Sequence, residues 1–440
     1  MSSAHVCVVL ALLALLELPM AVDRACTATP THPSSPAPER QSLSLPHLRP
    51  AVDQPDHTKP NPQPAISRAR PASAESLVVP SERMVILQAH TRGVLALAAI
   101  NMESPIICSS SYDGSIKLWT PNIELHTLEP RETLCSGDGA EGAIFSLAAR
   151  AADDGQFTVC AGSYARHVLA WKCRVGSKSQ LLWTSDEHTG WVRALATRRP
   201  PSSRAASSLY SIGCNRILGW SLSDQPDRPE RRRRDSELCL FEDTACVRSH
   251  DILCLAHSDA HERLSCGSVD GAVRVWSTID SDAYEPLPAA RMAHWIGHSD
   301  RVPTVAWRGD GRLFTGGYDG YVRSWQMRHT GEEVPPAAGP AEVFGGVPAW
   351  RLVAERRVAE SGGRVLTLAL LGDTDDEEEE VLLCGTSDGD VVALDVEDLS
   401  VVERRGGAAT KGGRVTALAA VGTRAVVVGD SAGGLSVQSF

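Results

Sequence analysis

Long amphipathic helical runs are missing from this chain of 440 residues, while Gly (36) and Pro (27) are plentiful. That combination excludes a helix-built core and points to many short strands joined by turns. No Asn-x-Ser/Thr acceptor occurs, so nothing marks N-glycosylation. Cys-x-x-Cys, His-Glu-x-x-His and the phosphate-loop pattern are all absent, which removes the usual signs of zinc, metalloprotease or nucleotide chemistry. A basic balance is lacking as well. The formal charge is −11, and a nucleic-acid backbone calls for a net cationic face, so general nucleic-acid binding is not expected.

Residues 1–82 read differently from the rest. The apolar run at 6–16 has the length of a signal-peptide core and is too short to span a bilayer. Ala21 or Ala25 supplies a small residue for cleavage, but no Lys or Arg precedes the run. We divide this region into a signal-like leader (1–22) and a Pro/Ser-rich linker (23–82) too poor in apolar surface to order itself. Its acid-poor, Ser/Pro/Arg-rich character resembles the two-part targeting leaders of some algal plastid proteins. Cys108, Cys160, Cys266 and Cys384 fall in apolar stretches before a recurring turn and read as small buried hydrophobes rather than a disulfide framework. They favour a reducing compartment, the cytoplasm or a plastid, with the apolar run leaving a secretory route open.

The recurring turn organises everything from residue 83 onward. "SYDGSIKLW" ends at Trp119, "SYARHVLAW" at Trp171, "GCNRILGW" at Trp220, "SVDGAVRVW" at Trp276 and "GYDGYVRSW" at Trp325. Leu394 and Gln438 hold the same place in two further units, and the seven positions lie 44 to 69 residues apart, a blade-like period stretched by insertions. Upstream of each turn a strand is predicted to start at Val94, Ile144, Val192, Ile252, Val302, Val365 or Val415, with His90, His188 and His298 four residues before three of these. Gly at the turn accepts φ > 0 and Asp bonds its own backbone.

Residues 83–440 thus resemble the WD-repeat (WD40) family, which implies an all-β, seven-bladed β-propeller. The resemblance further implies a buried hydrogen-bond chain of His90, Ser109, Asp113 and Trp119 in blade one, and of His298, Thr315, Asp319 and Trp325 in blade five. Blades two, three, six and seven lack members and are expected to rest mainly on apolar packing. The Asp that usually follows Trp in the family is missing except for Asp395 after Leu394. The last unit stops one strand short of a blade, so the apolar stretch 83–89 is predicted to become the outer strand of blade seven and close the ring.

In that fold, the loops before each first strand share one face, the top, with the turns between second and third strands. Tyr112, Tyr164 and Tyr318 occupy one turn position, and Trp191, Arg301, Arg364 and Arg414 precede first strands. We read an aromatic arc on one side and a basic arc on the other. Together they are the candidate protein-binding surface, since such side chains dominate interface hot spots.

Other motifs carry less. Ser387 and Ser431 lie in G-x-S-x-G matches, but a nucleophile elbow needs a following helix and both lead into a strand. The His-x3-His pairs at 257–261 and 294–298 fall in loops, so no metal is expected. The Arg run 231–234 and the acidic run 373–380 read as solvated loops. "WKCR" (171–174) and "WQMR" (325–328) are similar to the Trp-Asp-x-Arg ending of cullin–RING substrate receptors, with Lys172 and Gln326 in place of Asp. The sequence therefore reads as a non-catalytic scaffold without cofactor, metal or small-molecule substrate. It is expected to be monomeric within a larger complex, and to bind a protein or peptide, acidic or phosphorylated, on its top face. A ubiquitin-ligase substrate receptor is the alternative within binding, and a propeller hydrolase is the alternative of another class.

Overall fold

In the computed structural model the described residues are 86–134, 142–152, 155–198, 208–213, 216–222, 239–242, 252–278, 292–327, 350–360, 362–372, 380–410 and 412–440. The leader, the linker and the Arg run at 231–234 lie outside them, as do most of the long insertions.

The described chain forms seven four-stranded antiparallel sheets. Blade one comprises Val94–Ile100, Ile106–Ser111, Ile116–Asn122 and Thr127–Leu134. Blades two to six follow the same order from inner to outer strand, with inner strands Ile144–Ala151, Val192–Arg198, Ile252–Ser258, Thr304–Trp307 and Val365–Leu371. Blade seven takes three strands from the end of the chain, Val415–Val421, Ala425–Asp430 and Gly434–Ser439. Its outer strand is Leu87–Gln88, with Leu87 opposite Leu435 and Gln88 opposite Gly434. Each inner strand packs on the inner strand of the next blade, and that of blade seven on that of blade one. The ring is closed by the two ends of the folded region, as the stretch 83–89 predicts, although only Leu87–Gln88 pairs among its described residues.

The repeated Trp explains how neighbouring blades cohere. Alternation along the third strand turns it toward the preceding blade. Trp119 packs with Val421, Leu435 and Val437 of blade seven, and Trp171 with Ile106 and Leu118 of blade one. Trp220 stacks on Trp183 of blade two, with ring centroids 5.6 Å apart, and Trp325 meets Trp295 of blade four at 5.4 Å. Truncating a core indole of this kind costs about 3–5 kcal/mol.

Six of the seven inner strands carry a β-bulge one residue after their start, at Leu95, Phe145, Arg193, Leu253, Leu366 and Thr416. A bulge breaks the alternation and re-aims a side chain. Blade five differs from expectation: its inner strand starts at Thr304 rather than Val302. Pro303 has no N–H for the ladder, so regular pairing begins after it.

Ion pairs also join blades, which the sequence reading did not anticipate. Arg198 and Arg308 each stand six residues past the predicted strand start. Arg198 pairs with Glu262 of blade four at 2.6 Å. Arg308 reaches Glu380 at 2.6 Å and Glu397 at 2.5 Å, both in blade six. Glu380, the last residue of the acidic run taken as a solvated loop, is therefore a largely buried inter-blade partner. Burial disfavours the Arg308 cation, but Glu380 and Glu397 outweigh it and raise its pKa.

Two expectations follow. Leu87→Asp places a carboxylate against the apolar cluster that holds Leu435 and should cost about 2 kcal/mol, read as a lower midpoint in urea unfolding. Arg308→Ala strands Glu380 without its partner and should cost about 3 kcal/mol by the same measurement.

Candidate functional site

The top face is built from a buried polar chain outward. In blade one the Trp119 indole N–H donates to Ser109 Oγ at 2.8 Å, and Ser109 Oγ lies 2.7 Å from His90 Nε2. The other imidazole nitrogen, Nδ1, sits 3.2 Å from Asp113 Oδ2, and Asp113 accepts the Thr91 and Ser115 backbone N–H groups. Blade five repeats the arrangement. Trp325 donates to Thr315 at 2.9 Å, His298 lies 2.7 Å from Thr315 and 3.0 Å from Asp319, and Arg323 donates to Asp319 at 2.9 Å. Desolvation, the largest single influence, opposes ionisation of Asp113 and Asp319, but hydrogen bonds from His90 and Ser115, and from His298, Arg323 and Ser299, together outweigh it and hold both well below the usual carboxylate range. Each chain ties the loop entering its blade to the turn after the second strand.

Blade three departs from the expectation of apolar packing alone. His188 Nε2 and the Trp220 N–H both lie 2.6 Å from Ser211 Oγ. The turn Asp is replaced by Cys214, which is outside the described residues, and His188 Nδ1 has no described partner. Burial, assisted by Arg216, lowers the His188 pKa to about 4. Blade seven substitutes a buried carboxylate: Asp430 accepts the N–H groups of Thr410, Ala432 and Gly434, each at 2.8 Å. In blade six the turn Asp388 accepts the Glu360 N–H at 3.1 Å, and Asp390, just past the turn Gly, pairs with Arg404 at 3.0 Å.

A backbone bond then joins the two top-face positions of individual blades. Tyr112 N–H donates to Gly93 O, Tyr164 to Ala143 O, and Tyr318 to Arg301 O; Ser387 and Ser431 donate to the carbonyls of Arg364 and Arg414. The hydroxyls of Ser387 and Ser431 accept the Arg364 and Arg414 N–H groups at 2.9 and 3.0 Å. The two G-x-S-x-G serines thus hold loops, and among the described residues no imidazole reaches them.

On this frame stands a group of rings. Phe145 meets Tyr112 edge-on at 6.0 Å and stacks with Trp191 at 5.8 Å, while Tyr164 lies 5.0 Å from Trp191. Arg193 rests over Trp191, its Cζ 5.3 Å from the ring centroid. Across the mouth, Tyr318 carries Arg364 at 4.9 Å and Arg301 at 6.0 Å. The two predicted arcs are therefore interleaved: Tyr318 stands among the arginines. Arg414 is positioned on blade seven by its backbone bonds to Ser431. Burial raises the Tyr112 pKa, Arg193 opposes this and Tyr318 adds to it, so the three share one electrostatic environment.

Sequence reasoning missed Phe145 and Arg193. Both are bulge residues, one place past the strand start. That position also holds Leu95, Leu253 and Leu366, which by the repeat line the same mouth.

Such a ring of sheets, with polar chains fixing short loops around one mouth, defines a β-propeller. Three segments, 81–120, 241–277 and 290–326, match the family model described as WD domain, G-beta repeat. They correspond to blades one, four and five. The chain has no significant match among the curated proteins. Three WD repeats thus match within a chain whose described residues form a seven-bladed β-propeller.

The sign of the pH response follows from His188. Its folded pKa of about 4 lies below the ordinary 6.5, so the unfolded chain takes up a proton first as pH falls. Stability should drop between pH 6.5 and 4, with up to about 3 kcal/mol from this residue. His188→Asn should be less stable at pH 7.5 yet give a flatter curve across that window in urea titrations at stepped pH. The depressed Asp113 and Asp319 act in a separate window, with their contribution lost only as pH falls below about 4.

Proposed function

We propose that the chain is a non-catalytic scaffold whose top face holds a protein segment carrying acidic or phosphorylated residues. One observation carries this reading. Arg193 and Arg301 are held by the rings of Trp191 and Tyr318, and no carboxylate pairs with either guanidinium among the described residues. Elsewhere Arg198, Arg308, Arg312, Arg323 and Arg404 are engaged in ion pairs. An aromatic ring orients a guanidinium without neutralising it, so its forked donors stay available for carboxylate or phosphate. Tyr112, Phe145, Tyr164 and Trp191 supply rigid area for the apolar part of the same segment, and Tyr164 is 49% exposed.

The test is affinity capture from the native cell, comparing the wild-type chain with a variant in which Arg301, Arg364 and Arg414 are all Ala. Top-face partners should fall by about tenfold or more in the variant, and captured complexes should weaken steeply with added salt. An unchanged set of partners would reject the reading. Phosphatase treatment of the lysate separates the two anions: loss of capture assigns phosphate, and retention assigns carboxylates.

A further inference from the structure

The indole that fills the space between blades is absent between blades six and seven. Gln438 stands in the Trp position of blade seven, and the register confirms the equivalence: Val426 faces Gln438 as Ile107 faces Trp119. Toward the bottom of this interface lies a cavity of about 270 Å3, lined by Leu371, Val381, Ala393, Val402, Arg424 and Phe440, with Glu403 beside Val402. That volume is below the roughly 300–1,000 Å3 of small-molecule sites and suits one large side chain.

Its surroundings have three features of a docking site. Val402 is 60% exposed at the lip, and Val401, 43% exposed, precedes it on the strand. They begin the strand Val401–Arg405, the last of its sheet, so one edge has no strand neighbour among the described residues. Natural edges usually hide such apolar pairs behind charge or a covering element. The third feature is Arg424, exposed on the turn below Phe440, with no ion pair among the described residues. Its carbonyl accepts the Phe440 N–H at 2.8 Å, which fixes the turn against the cavity wall. By contrast, Arg405 is neutralised by Glu403 at 2.7 Å while it covers the Phe440 ring.

We infer that this cavity and its lip form a second docking site, on the bottom rim of blades six and seven. Its occupant is an extended segment of a partner protein that presents one large apolar side chain beside an acidic residue. The apolar side chain enters the cavity. The segment's backbone adds to the free edge of Val401–Arg405, and its carboxylate meets Arg424. The site lies on the opposite face from the proposed top-face surface and does not depend on it.

The experiment uses the full chain and an immobilised array of twelve-residue peptides. Each peptide has a central Leu, Phe or Met flanked by Asp/Glu or, as controls, by Lys. Wild-type chain should retain the acidic-flanked peptides at least about tenfold better than the Lys-flanked ones. Val402→Asp should lower retention about tenfold, and Arg424→Glu should abolish the preference for acidic flanks. Both positions are exposed, so circular dichroism and melting should match wild type. Arg131→Glu, exposed on the outer strand of blade one and outside both proposed surfaces, should leave retention unchanged. The inference is overturned if no peptide is retained, if both bottom-rim variants behave as wild type, or if Arg131→Glu lowers retention as much as they do. It is also overturned if the wild-type chain instead self-associates through Val402, or if peptides bind only after residues 1–82 are removed. Those last outcomes assign the site to a second copy or to the chain's own amino-terminal segment.

Discussion

Two backbone pairs, Leu87 with Leu435 and Gln88 with Gly434, join the start of the folded region to its end. Every blade leans on two neighbours, so a ring of seven has no terminal blade to protect only while that join holds. Gly433 shows how close the join is: at φ +94 it approaches the His90 carbonyl so tightly that a Cβ would lie 2.4 Å from it. The same segment continues directly into His90, the first member of the blade-one polar chain. Closure and the rigidity of the first top loop are therefore one structural event.

From that frame the two faces follow different logics. On the top, short loops are pinned by buried polar chains and by a repeated backbone bond, so side chains at equivalent positions converge on one mouth. Desolvation is costly for every polar group in those chains, and each blade meets the cost differently: a His–Asp pair in blades one and five, Asp430 with three N–H donors in blade seven, and an Arg in blades four and six. In blade four Arg274 donates to Ser268 at 2.8 Å in the place of a His. Toward the bottom, Arg198 and Arg308 clasp adjacent blades through carboxylates, and between blades six and seven the smaller Gln438 stands where an indole would.

Legibility in the sequence tracked locality. The seven units, the Asp-Gly turns and the Trp positions could be read because each is a pattern within a dozen residues, enforced by turn chemistry and the two-residue strand period. The His chains of blades one and five could be read because the family pattern fixes their spacing. Phe145 and Arg193 escaped because a bulge shifts the parity on which such reading relies. The roles of Glu380 and Asp430 escaped because their environments are set by other parts of the ring.

What the chain determined by itself was the number of blades, the hairpin turns and the identity of the residue filling each inter-blade space, including the lapses at Leu394 and Gln438. Only the tertiary structure decided that Tyr318 lies between Arg301 and Arg364, that Arg308 reaches Glu380 across 72 positions, and that a cavity between blades six and seven lies beside an exposed strand edge. The physical reason is reach. Turn and strand preferences act over a few residues, whereas these contacts exist only once the sheets are arranged around an axis and distant side chains share a surface.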